Sequence, residues 1–102
     1  MNNKMSPIHP GEILKEEYVK PLGMNANSLA HALRVPATRT SDILKEHRSI
    51  TPDTAMRLAR YFGGDAQSWL NLQSSYDLKI AENKILPQIN MEVLPRSEYH
   101  PN

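Results

Sequence analysis

The sequence predicts an all-helical fold of five helices with a short extended C-terminal tail. Three observations carry this. Residues 24–62 read as a short helix, a tight turn, a second short helix, a polar loop and a capped third helix. The prolines and glycines between residues 20 and 64 fall at the ends of these apolar stripes, where helices start and stop. A period of two, the mark of a strand, occurs only near the C-terminus.

The elements follow in order. Residues 1–9 read as a loose N-terminal tail. A first helix starts at Pro10, since proline suits a first turn whose N–H groups lack partners. Glu12 complements the helix dipole, Ile13, Leu14 and Tyr18 form a narrow apolar stripe, and Pro21 and Gly23 end the helix. Asn25 caps the second helix, whose buried face is Leu29, Ala30 and Leu33. Ala30 is small enough for two helices to cross closely there. Val35 points inward from the turn Leu33-Arg34-Val35-Pro36.

The third helix is expected from Pro36 to Glu46, anchored by Ile43 and Leu44 with Ala37 and Thr40. The fourth is the best marked: Thr51 caps it, Pro52 opens it, Asp53 sits in its first turn and Gly63-Gly64 closes it. Ala55, Leu58, Ala59 and Phe62 recur at helical spacing. Asp65 caps a fifth helix with Trp69, Leu72, Tyr76 and Ile80 on its stripe, expected to end near Asn83. Pro87, Pro95 and Pro101 then argue against a long helix. Ile89, Met91 and Val93 alternate with polar residues and predict a short strand. The expected division is a tail at 1–9, a helical domain at 10–84 and a C-terminal tail at 85–102.

The composition is that of a globular chain, with 39% hydrophobic and 23% charged residues among 102. No apolar run is long enough for a membrane span or a secretory leader. There is no cysteine, hence no disulfide and no thiolate metal site. These features are compatible with a cytoplasmic protein. His9, His31, His47 and His100 have no spacing that makes a metal cage, and no cofactor motif is present. Glu16 and Glu17 are adjacent, so on a helix they point about 100° apart and do not face one substrate. No catalytic constellation emerges, and an enzyme is not expected.

Net charge is only +1, but it is unevenly placed. Arg34, Arg39, Lys45 and Arg48 face only Asp42 and Glu46 within residues 34–48, while the chain from Asp65 onward is net acidic. The basic excess sits on the second of the two turn-linked helices and its flank. Two short helices joined this way form a helix-turn-helix, which lays its second helix in the DNA major groove. The outward residues Thr38, Arg39, Ser41 and Asp42 have the hydrogen-bonding chemistry that base edges require. Arg39 can donate two bonds to a guanine; its structural alternative is an ion pair with Asp42 three residues on. Asn25, Asn27, Ser28, Arg34, Lys45 and Arg48 are candidate phosphate contacts. Trp69 and Tyr76 lie on a buried stripe and read as core, not as a stacking platform for bases.

The motifs SLAxxLxV (28–35), SDIL (41–44), RSIT (48–51) and AxxLA (55–59) resemble the lambda-Cro-like (XRE) helix-turn-helix superfamily. HPGEIL (9–14), LARYFG (58–63) and WLNLQSSYDL (69–78) narrow the resemblance to the HigA/VapI-type antitoxins, over roughly residues 8–80. The resemblance implies a five-helix lambda-repressor-like domain that forms a homodimer, binds double-stranded operator DNA, represses its own operon and neutralises a HigB-like toxin, a ribosome-dependent mRNA endonuclease. Three positions depart from the family pattern. Arg34 stands where the turn usually has glycine, at a cost of about 1 kcal/mol for a left-handed conformation. Thr40 replaces a large aliphatic residue, which predicts looser packing under the third helix. Glu46-His47 replaces the glycine that usually follows that helix and sets a carboxylate near the DNA backbone.

The alternative is a helix-turn-helix used as a protein-interaction module, or a stand-alone regulator without a toxin partner. Thr38, Arg39 and Ser41 favour DNA; Asp42 and Glu46 favour the module. A dimer has two expected routes, the apolar fifth helix or pairing of the unpartnered strand at Ile89–Val93.

Overall fold

The computed structural model describes residues 6–98. Helix α1 spans Pro10–Leu14 and runs on as a π-helical turn, Lys15–Val19. Helix α2 spans Ala26–Leu33, α3 Ala37–Leu44, α4 Pro52–Phe62 and α5 Ala66–Glu92. A 3-10 turn follows at Arg96–Glu98.

The expected caps are all present. Asn25 and Ser28 form a reciprocal capping box, Ser28 N–H to Asn25 Oδ1 at 2.8 Å and Asn25 N–H to Ser28 Oγ at 2.9 Å. Thr51 and Asp65 accept from the third residue of α4 and of α5. One core joins the helices: Leu14, Val19, Leu29, Leu33, Ile43, Ile50, Ala55, Leu58 and Trp69. Tyr18 fills the space between Phe62 and Trp69, with ring centroids 4.8 and 5.5 Å away. Gln73 is a buried polar residue of α5. Its Oε1 accepts the Ile50 N–H at 2.8 Å, which ties the α3–α4 loop to α5.

His9, expected in a loose tail, is buried and caps α1. Its Nδ1 accepts the Gly11 N–H at 2.8 Å and its ring packs edge-on against Tyr76, centroids 4.9 Å apart. Burial is the chief cause holding its pKa below the usual histidine value, against the opposing pull of Glu46, Asp77 and a backbone hydrogen bond at Arg48.

Two expected boundaries are corrected. The third helix ends at Leu44 rather than Glu46, because Glu46 takes a left-handed conformation with φ 66°. The strand expected at Ile89–Val93 does not form, and the fifth helix does not stop near Asn83. Instead α5 continues through Pro87 to Glu92. Proline removes one N–H from the ladder, but most backbone groups of a helix still pair within the segment. A lone strand satisfies none of its backbone groups that way. Ile85, Leu86 and Ile89 also sit at helical spacing, so the same apolar residues serve either pattern. From Asn83 onward the helix is exposed on all sides.

Two stability tests follow. Trp69→Ala is expected to cost about 3–5 kcal/mol, read by chemical denaturation. An unchanged melting curve would remove Trp69 from the core. The second concerns pH. The folded chain favours neutral His9, so the unfolded chain takes up a proton first as pH falls. The stabilisation from a neutral His9 is complete above about pH 6.5, and is lost as pH drops from there through the lower folded-state pKa. Urea melts between about pH 8 and 5 should show stability falling with acidification, and His9→Gln should flatten that slope.

Candidate nucleic-acid interface

Helix α3 has eight residues, too few to hold its shape alone in water. It is held from three directions. Behind it, α1 approaches so closely that a Cβ on Gly11 would sit 1.9 Å from the Ile43 carbonyl oxygen, so only glycine fits. From α2, the Ala26 carbonyl accepts the Thr40 hydroxyl at 2.8 Å. Thr40 is fully buried and also bonds to the Ala37 carbonyl at 3.1 Å. Where the sequence suggested looser packing at Thr40, the structure adds a hydrogen bond to the neighbouring helix.

The third direction is α4. Asp53 Oδ2 accepts from Arg39 Nη1 of α3 and, at 2.9 Å, from Arg57 Nε one turn along its own helix. Arg57 Nη1 in turn donates to the Leu33 carbonyl at 2.9 Å and reaches Arg34 O at 3.5 Å. The hydrogen bonds from Arg57 and then Arg39 hold the Asp53 carboxyl below the usual carboxylate range. Arg34 takes the left-handed conformation that its place in the turn predicts, φ 60° and ψ 47°. Arg57 meets the carbonyls at that same turn.

The outward side of α3 lines an open groove of about 660 Å³ with the start of α2. Thr38, Ser41 and Asp42 of α3, with Lys45 at its C-cap, form one wall, at the spacing that puts side chains on one helix face. Asn25, Ala26 and Asn27 form the opposite wall. Six of the ten expected contact residues therefore share this groove. Ser28 is next to it but engaged in the α2 cap. Arg39 lies on the α4 flank of α3, paired with Asp53 rather than with Asp42. Asp42 instead faces Arg48 at 3.4 Å, which offsets its charge in the groove. Arg34 stands apart, lining a second groove with Met56, Arg57, Arg60 and Tyr61.

Sequence reasoning missed Arg57 and gave Asp53 only a dipole role. The signal was present as an Asp and an Arg four residues apart on one helix face. Among the described residues there is no cluster able to hold a metal ion, and no helix is long and apolar enough to cross a membrane.

A short polar helix, braced from behind and presented beside a capped partner helix, defines a helix-turn-helix protein. Comparison with known proteins agrees. The chain is 64% identical over 80 residues to virulence-associated protein I of Dichelobacter nodosus, covering 78% of this chain and 74% of that one. It superposes with a TM-score of 0.85 on a HigA-family addiction module antidote protein from Coxiella burnetii, at 52% identity, covering 89% of this chain and 99% of that one. It superposes with a TM-score of 0.86 on the Pseudomonas aeruginosa antitoxin HigA solved with the higBA promoter, at 46% identity and covering 88% and 98%. No protein-family model matches the chain. The chain belongs to the HigA family of helix-turn-helix antitoxins. Its sequence relatives include antitoxin HigA-1 of Vibrio cholerae, at 32% identity over 81 residues, and the HTH-type transcriptional regulator YbaQ of Escherichia coli, at 39% over 82.

Proposed function

We propose that this chain is the antitoxin of a toxin–antitoxin pair, which binds operator DNA as a homodimer, represses its own operon and neutralises a HigB-like mRNA endonuclease. The observation that carries the DNA part is the groove in which Thr38, Ser41, Asp42 and Lys45 face Asn25 and Asn27. It is open, carries hydrogen-bonding side chains on both walls and is bounded by a helix whose first turn can enter a major groove. Thr38, Arg39, Ser41 and Asp42 are the proposed base contacts. Asn25, Asn27, Ser28, Arg34, Lys45 and Arg48 are the proposed phosphate contacts, which give affinity and register but no sequence choice. The relative from Pseudomonas aeruginosa, described with a promoter, supports this reading, and the antidote from Coxiella burnetii supports the antitoxin role.

Two copies are needed to span half-sites about 34 Å apart. The exposed end of α5 supplies a face for this. Leu78, Ile85 and Ile89 recur on it at spacings of seven and four and are 60%, 48% and 40% exposed in the single chain. A second copy of α5 would cover them. Sedimentation at tens of micromolar, the regime where weak association shows, should give a dimer, and truncation after Lys84 should give a monomer. A truncated chain that still dimerises would move the interface onto the helical body.

Base and phosphate roles are separable on α3. Arg39→Ala should cost about 1–3 kcal/mol per half-site and relax preference at one base position. Lys45→Ala should weaken operator and scrambled duplex alike and lower the salt slope by about one phosphate per subunit. Titration of both variants against both duplexes at two salt concentrations decides. Equal losses on both duplexes would end the assignment of α3 as a base reader. A wild-type chain without operator preference would favour the interaction-module reading.

A further inference from the structure

Arg39 is the one proposed base contact that the groove does not contain, and its guanidinium is held by a residue of another helix. Its side chain is 28% exposed, and Nη1 is held by Asp53. A guanidinium has five N–H donors, so one bond to a carboxylate leaves the rest for a guanine edge. Asp53 does not swing freely either. The same oxygen accepts from Arg57 Nε at 2.9 Å, and Arg57 is fixed at its far end by the Leu33 carbonyl. A continuous chain of hydrogen bonds thus runs from the last carbonyls of α2, through α4, to the guanidinium on α3.

The charge count of this chain matters. A simple Arg–Asp pair would be neutral and would weaken attraction to a polyanion. Two guanidiniums on one carboxylate keep a net positive charge while Arg39 is held in place. The arrangement orients the arginine without cancelling it.

We propose that Asp53 and Arg57 are positioning residues for Arg39, so that α4, which contributes nothing to the groove, sets how sharply the protein discriminates at the base pair Arg39 reads. This rests on the DNA-binding reading above. An arginine with free rotamers can reach several acceptors in the major groove, whereas one held at Nη1 reaches few. The restraint acts on specificity more than on affinity, because a partly exposed ion pair contributes little binding energy of its own.

The test begins with a pool of random duplexes about 30 base pairs long, enough for two half-sites one helical turn apart. Wild-type protein selects the reference duplex from it. Every single-base variant of that duplex is then titrated with wild type, Arg39→Ala, Asp53→Asn, Arg57→Gln and the double variant Arg39→Ala/Asp53→Asn. Arg39→Ala should flatten discrimination at one base pair per half-site. Asp53→Asn and Arg57→Gln should each reduce discrimination at that same base pair by about fivefold to tenfold. Asp53→Asn should also bind scrambled duplex as well as wild type or better, since it removes a negative charge. The double variant should lose no more at that position than Arg39→Ala alone, the non-additivity expected of residues acting through one another. Thermal melts confirm that each variant is folded.

If Asp53→Asn and Arg57→Gln change affinity for all duplexes alike and keep the base preferences, the positioning role is overturned while DNA recognition stands. If Arg39→Ala leaves every base preference intact, there is nothing to position, and the proposal falls on that ground. A wild-type protein that enriches no sequence from the pool defeats the DNA-binding reading itself, a result distinct from either of these.

Discussion

An eight-residue helix is unstable alone in water, so α3 keeps its shape only through the helices packed around it. That constraint organises the rest of this structure. The back of α3 rests on α1 at the closest approach that Gly11 allows. Its middle is tethered to α2 through Thr40 and the Ala26 carbonyl. Its flank is held to α4 through Arg39 and Asp53. Each contact acts on a different side, and the side they leave open lines the groove.

The same logic explains how the chain tolerates its departures from the family pattern. A non-glycine residue in the left-handed turn costs about 1 kcal/mol. Arg57, which donates to the Leu33 carbonyl and reaches that of Arg34, contributes about as much through a charge-assisted bond. Thr40 gives up methyl packing but converts a potentially unpaired hydroxyl into an interhelical bond, and no buried side-chain polar atom among the described residues is left without a partner. Glu46 adopts the left-handed conformation after α3 that a glycine would take more easily, φ 66°, and its side chain stays exposed. Each replacement keeps the backbone path and changes only what supports it.

What could be read from the sequence was local. The Thr51-Pro52-Asp53 start of α4 and its Gly63-Gly64 end depend on neighbours within one turn, and both are where the residues put them. The groove wall at Thr38, Ser41, Asp42 and Lys45 follows from helical spacing alone. What could not be read depends on partners distant in sequence. His9 looks like a tail residue until Tyr76, on another helix, is packed against it. Arg39 looks free to pair with Asp42 until Asp53, 14 residues away, is brought alongside. The end of α5 was obscured differently. Pro87 is a local signal for stopping, but it competes with the backbone bonds of the whole segment, and one lost N–H is a smaller penalty than an unpaired strand.

The course of α5 links these local facts to assembly. Its first half is fixed by Trp69 and Gln73 against the core, and Gln73 also holds the loop that leads from α3 to α4. Its second half leaves the body with apolar residues exposed, Ile85, Leu86 and Ile89 among them. Because the helix is continuous from Ala66 to Glu92, a partner bound to the free end is held in a fixed geometry relative to Trp69 and Gln73, and through the Gln73–Ile50 bond relative to the end of α3. A strand joined by a hinge at Asn83 would give no such relation. In the proposed dimer, the unbroken helix through Pro87 would make half-site spacing a property of the fold: the distance between two α3 helices would be set by where two copies of α5 cross.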